Sequence, residues 1–173
     1  MIFKLILCGV IIAGFGYMGH LMGEKQKDRL RQLSSFSDGL TMLEFNIKHM
    51  NYPIAKALES ASENCAGVVK KIFYETGTHL QKDYGSNPGE IFDKKIEENK
   101  NLLCLSSDEI GILKSFSKTL SEGDIDTEIK NIEAVKTRLD SAQSDATEEV
   151  NKKAKATKSI SLLAGVFIVI LLL

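Results

Sequence analysis

The feature that most constrains this chain is the absence of charge at its two ends. Residues 1–23 hold one ionised side chain, Lys4, and residues 159–173 hold none, so all but one of the 22 Lys and Arg and all 23 Asp and Glu fall in residues 24–158. Apolar runs of that length seek lipid or a buried core, whereas the charged middle is one domain's worth of chain. The chain therefore divides into three segments: a first apolar helix at 1–23, a polar domain at 24–158 and a second apolar helix at 159–173. The slight acid excess of the middle excludes the basic footprint of a dedicated nucleic-acid binder.

Length decides whether the ends can cross a bilayer. Leu5 to Gly23 makes a helix of about 28 Å against a hydrocarbon core of about 30 Å, so it can span. The rival reading is a cleavable signal peptide, but no A-x-A site follows, and Lys25, Lys27, Arg29 and Arg31 come directly after the run. Ser159 to Leu173 makes only about 22 Å, which spans if the helix draws in its approach and Lys155 and Lys158 snorkel. A soluble core helix is the alternative there. Bases flank the middle on both sides, at Lys25 to Arg31 and at Lys152, Lys153, Lys155 and Lys158, so the positive-inside rule places the middle in the cytoplasm of a doubly anchored cell-membrane protein. The lipid bilayer is thus the first expected partner. Gly9, Ala13, Gly16 and Gly23 in the first run and Ser161 and Gly165 in the second are candidates for close helix packing, within the protein or to another membrane subunit. Glycine is common in membrane helices in any case.

The middle should be all helical. It has two prolines, Pro53 and Pro88, and no sustained alternation of apolar and polar residues. Leu30, Leu33, Phe36, Leu40, Leu43, Ile47 and Met50 form one stripe at helical spacing, broken by Asn51-Tyr52-Pro53. Short helices are predicted around Ile54 to Ala61, Val68 to Leu80 and Ile91 to Ile96, with Tyr84 to Gly89 as the clearest loop. Ser106 and Glu109 have the capping-box spacing and open a helix through Ile110, Leu113, Phe116 and Leu120. A last helix begins near Asp124 or Asp126 and runs without Gly or Pro into the second apolar run. Short connections make the whole an antiparallel multi-helix bundle flanked by the two transmembrane helices.

Signatures of chemistry are missing. No Walker, dinucleotide, H-E-x-x-H or G-x-S-x-G motif occurs, so no cofactor, metal or small-molecule substrate is expected. Cys8, Cys65 and Cys104 make neither a disulfide framework nor a zinc site, and His20, His49 and His79 lie in separate segments. Glu97-Glu98 and Glu148-Glu149 read as solvated faces. One cluster stands out: Glu122, Asp124, Asp126 and Glu128, with no base among them, at the start of the last helix. They either complement that helix's dipole or present a docking surface to a basic partner.

Taken together, several short stretches resemble one family. They are Arg31-Gln32-Leu33; Leu43-Glu44-Phe45-Asn46-Ile47 leading to Tyr52-Pro53-Ile54-Ala55-Lys56-Ala57-Leu58; Ser107-Asp108-Glu109 with Phe116 and Leu120; Asp124 in Leu-Ser-Glu-Gly-Asp; and Ile160-Ser161-Leu162-Leu163-Ala164-Gly165 before an aliphatic run. In that order, with two anchors, the chain resembles the stage III sporulation protein AB family of endospore-forming bacteria over nearly its full length. It departs at Ser121 and Ser161, where the family tends to have Gly, and at Glu128, where it tends to have Gln. The resemblance implies a bundle similar to the cytoplasmic domains of type II secretion and type IV pilus platform proteins. It also implies a place in the channel between mother cell and forespore, with the domain in mother-cell cytoplasm. There its partners would be a secretion-type ATPase encoded in the same operon and other membrane subunits. A non-enzymatic platform is the first expectation. A small membrane-bound enzyme or signalling domain, with a site assembled from distant residues, is the alternative.

Overall fold

The computed structural model describes the backbone of residues 2–83, 85–120 and 125–172, and the side chains of 24–83, 85–120, 125–150 and 152. Every described element is helical: α1 (Ile2–Lys48), α2 (Ile54–Ser62), α3 (Gly67–Lys82), α4 (Pro88–Glu98), a single 3-10 turn at Lys100–Leu102, α5 (Ser107–Thr119) and α6 (Ile125–Leu172). Both terminal apolar runs are helical in backbone, as the absence of Pro and of strand patterning predicts. Among the residues whose side chains are described, no helix is long and apolar enough to cross a membrane; the two candidate spans lie outside those residues. The chain divides into two compact units, Lys27–Gln143 and a second made of Met1–Gln26 with Ser144–Leu173.

The core of the Lys27–Gln143 unit is built on the predicted stripe. Leu33, Phe36, Leu40 and Leu43 are fully buried and Ile47 nearly so. Met50, read as the last member of that stripe, is 48% exposed instead, because α1 stops at Lys48 and Asn51 takes a left-handed φ of 50°. Beyond the end of a helix its 3.6-residue period no longer places a side chain. The buried Asn46 fixes this corner: its carbonyl accepts from the Tyr52 N–H at 3.1 Å and its amide donates to the Ala57 carbonyl at 3.3 Å. A row of rings then crosses four helices. Phe36 on α1 meets Phe73 on α3 at 6.2 Å between centroids, Phe73 meets Phe92 on α4 edge-on at 5.5 Å, and Phe92 meets Phe116 on α5 edge-on at 5.5 Å. The two edge-on contacts match the ring quadrupole, and such pairs contribute about 0.5–1.5 kcal/mol beyond their area burial.

Two glycines permit close crossings. A Cβ on Gly77 of α3 would lie 2.7 Å from both the Ala55 carbonyl oxygen and the Glu59 nitrogen of α2. On Gly89 it would lie 1.9 Å from the Ser117 carbonyl oxygen of α5. Pro88 and Gly89 therefore belong to α4 and not to the loop expected there. Asn87 caps that helix by accepting from the Gly89 and Glu90 N–H groups at 2.8 and 3.3 Å, and Pro88 sits where a first-turn N–H would go unused. In this unit α1 and α6 run antiparallel, Ser37 donating to Asp140 at 3.0 Å and Lys136 reaching Glu44 at 2.9 Å, over a seam closed by Ile132, Val135 and Leu139.

Candidate functional site

The acidic cluster falls where the sequence places it only in part. Asp126 and Glu128 occupy the first turn of α6, which begins at Ile125; Asp126 is exposed and Glu128 half-buried. Glu122 and Asp124 lie outside the described residues, and the side chains of Gly9, Ala13, Gly16, Gly23, Ser161 and Gly165 lie outside the described ones. Two carboxylates at a helix N-terminus face the positive end of the helix dipole, a favourable placement. Exposed there, Asp126 is also accessible to a cationic partner.

A second polar site is only half visible in the sequence. Glu109, in the first turn of α5, is 2% exposed and carries both halves of a capping box: Ser106 Oγ accepts from its N–H at 3.3 Å, and its own Oε2 accepts from the Ser106 N–H at 2.6 Å. Arg29 on α1 then closes on the same carboxylate, Nη2 to Oε1 at 2.7 Å, Nε to Oε1 at 3.0 Å and Nε to Oε2 at 3.2 Å. One turn on, the Gln32 side chain donates to the Leu102 carbonyl at 3.1 Å and accepts from the Cys104 N–H at 2.8 Å. Arg29 and Gln32 together latch the 102–109 segment to α1. The box itself is legible as S-x-x-E, but Arg29 reads as one of the bases that flank the first apolar run, and nothing local distinguishes it from Lys27 or Arg31. Arg31 is exposed and pairs with its neighbour Asp28 at 3.3 Å.

The other titratable groups serve the fold. Lys95 bridges Glu98 at 2.7 Å and Glu75 at 3.2 Å, and Lys114 pairs with Glu97 across α4 and α5. The hydrogen bonds from Lys114 and Lys95 hold Glu97 and Glu98 below the ordinary carboxylate range, while the bond to Glu98 raises Lys95. At such exposure these pairs are worth little. Burial pushes the Cys65 thiol up to about 12, leaving it protonated and inert beside the Ser35 and Ala61 carbonyls. His49 stacks on Phe45 at 5.1 Å, and His79 sits in the last turn of α3; His20 lies outside the described side chains. No group of three or more His, Cys, Asp or Glu capable of holding a metal ion occurs among the described residues.

Comparison with known proteins gives one consistent result. The family model described as stage III sporulation protein AB matches residues 4–173. The chain is 26% identical to the stage III sporulation protein AB of Bacillus subtilis (strain 168), over 98% of its own length and 99% of that protein's. Its fold is similar to a solved structure of stage III sporulation protein AB, with a TM-score of 0.66 at 23% identity, over 72% of this chain and 97% of that one.

Proposed function

The chain belongs to the stage III sporulation protein AB family, and on that premise we propose that it is a non-enzymatic membrane platform of a sporulation channel between mother cell and forespore. In this reading residues 1–23 and 159–173 are transmembrane anchors, and residues 24–158 are a bundle in mother-cell cytoplasm. The bundle docks a secretion-type ATPase encoded in the same operon, and the anchors pack against other membrane subunits.

The observation that carries the docking role is the exposure of Asp126 in the first turn of α6. It continues a run of acids, Glu122, Asp124, Asp126 and Glu128, without an intervening base. Such a field steers and orients a basic partner more than it holds it, so the contact should weaken as salt rises. The test is a pull-down of the ATPase by the full-length chain, with all four acids changed to Lys in the comparison sample. Loss of capture is the expected result, and unaltered capture removes the acidic cluster from the docking surface.

A further inference from the structure

The loop that Arg29 and Gln32 hold against α1 presents the most exposed large apolar side chain among the described residues. Leu102 is 60% exposed, against 54% for Ile125 and less than half for Phe45, Met50 and Tyr74. A single exposed leucine ordinarily calls for no explanation. Two observations set this one apart. Its backbone carbonyl and the N–H of Cys104 are both taken by the Gln32 amide, while Leu103 between them turns its side chain into the core. Leu102 therefore cannot fold inward without breaking both bonds. Its tether is also short: Gln32 comes nine residues after Gly23, where the first apolar run ends. As helix those nine residues rise about 13 Å, and the headgroup layer beyond the hydrocarbon is itself about 5–8 Å deep.

We propose that the loop 99–106 rests on the bilayer surface, with Leu102 entering the headgroup layer of the membrane that anchors residues 5–23. This rests on the anchoring proposed above and adds a second, weaker contact to it. The exposed Lys100 close to Leu102, loosely paired with Glu97 at 3.6 Å, suits the same place, since an apolar side chain beside a cation is how interfacial segments meet lipid.

The chain contains no tryptophan, so a single introduced one reports alone. Full-length Leu102→Trp in vesicles should emit at shorter wavelength than in detergent and be quenched by lipids brominated on their acyl chains. Asn101→Trp, its exposed neighbour, is a second reporter on the same loop. Tyr74→Trp and Met50→Trp, at exposed positions on α3 and at the α1–α2 corner, should show neither change. Tryptophan prefers the membrane interface wherever it is placed, so the difference among variants carries the information. Emission from Leu102→Trp as unquenched and red-shifted as that from Tyr74→Trp overturns the proposal, and so does a blue shift without quenching, which means that protein covers the loop. Alkaline carbonate extraction of the same vesicles separates the two levels. A Leu102→Trp chain that is retained but unquenched defeats only the surface contact, whereas a chain that is released defeats the anchoring and the contact with it.

Discussion

Glu109 and Asp126 are carboxylates in the first turns of consecutive helices, α5 and α6, and their surroundings are opposite. Glu109 is closed in by Arg29 and by the Ser106 N–H, whereas Asp126 is exposed. Both satisfy the same local rule, that an acid suits the positive end of a helix. The rule therefore cannot say which acid the fold consumes. That depends on whether a base arrives from a distant part of the chain, as Arg29 does across 80 positions. An acid so neutralised has become architecture; an acid left facing solvent retains a charge that a partner can read.

The contrast yields an ordered set of expected effects. Glu109→Ala removes the box and the carboxylate that Arg29 grips, and should cost about 2–3 kcal/mol in denaturant unfolding. Glu109→Gln keeps an acceptor for the Ser106 N–H but not the charge, so about 1–2 kcal/mol is expected. If the two variants are equally destabilised, charge pairing is the whole of the latch and the box adds nothing. Asp126→Ala should cost no more than about 0.5 kcal/mol, as a solvent-exposed charge–dipole contact does. A cost there comparable to Glu109→Ala would mean that Asp126 is also structural.

Glu97 and Glu98 are the intermediate case, exposed yet paired, and should show the smallest effect of all. Their folded-state pKa values lie below the ordinary 4.5, so what they contribute is present above that value and lost as pH falls through the lowered ones. Replacing both with Gln should lower the neutral region of a stability–pH curve slightly, make its acid limb correspondingly shallower and leave stability below the lowered pKa values unchanged.

The helices were readable because their signals are local. The stripe from Leu33 to Ile47, the break at Pro53 and the box at Ser106 each depend on neighbours within a turn or two, and each is present. What failed was non-local. Gly89 looked like part of a loop because its close approach to the Ser117 carbonyl exists only once α5 has packed. Arg29 looked like a membrane-flanking base because Glu109 is 80 residues away. Met50 continued a periodic pattern past the residue at which α1 ends. Of the acidic cluster, the charge and the place of Asp126 and Glu128 in the first turn of α6 were legible, since alternate acids at a helix start are a property of sequence alone. Whether a partner binds it was not, because a partner's surface leaves no periodicity in this chain.

The central claim, that the latch charges serve the fold and the proposed contact depends on the acids at the start of α6, is tested most directly by comparing variants that differ in where charge is lost. The full-length chain in nanodiscs would be titrated with the secretion-type ATPase as the parent, as Glu109→Gln, and as the variant with Glu122, Asp124, Asp126 and Glu128 changed to Lys. The account predicts parent-like affinity for Glu109→Gln despite its lower stability, and loss of binding for the four-acid variant at temperatures where it remains folded. Parent-like binding by the four-acid variant, or binding lost only with Glu109→Gln, would contradict it.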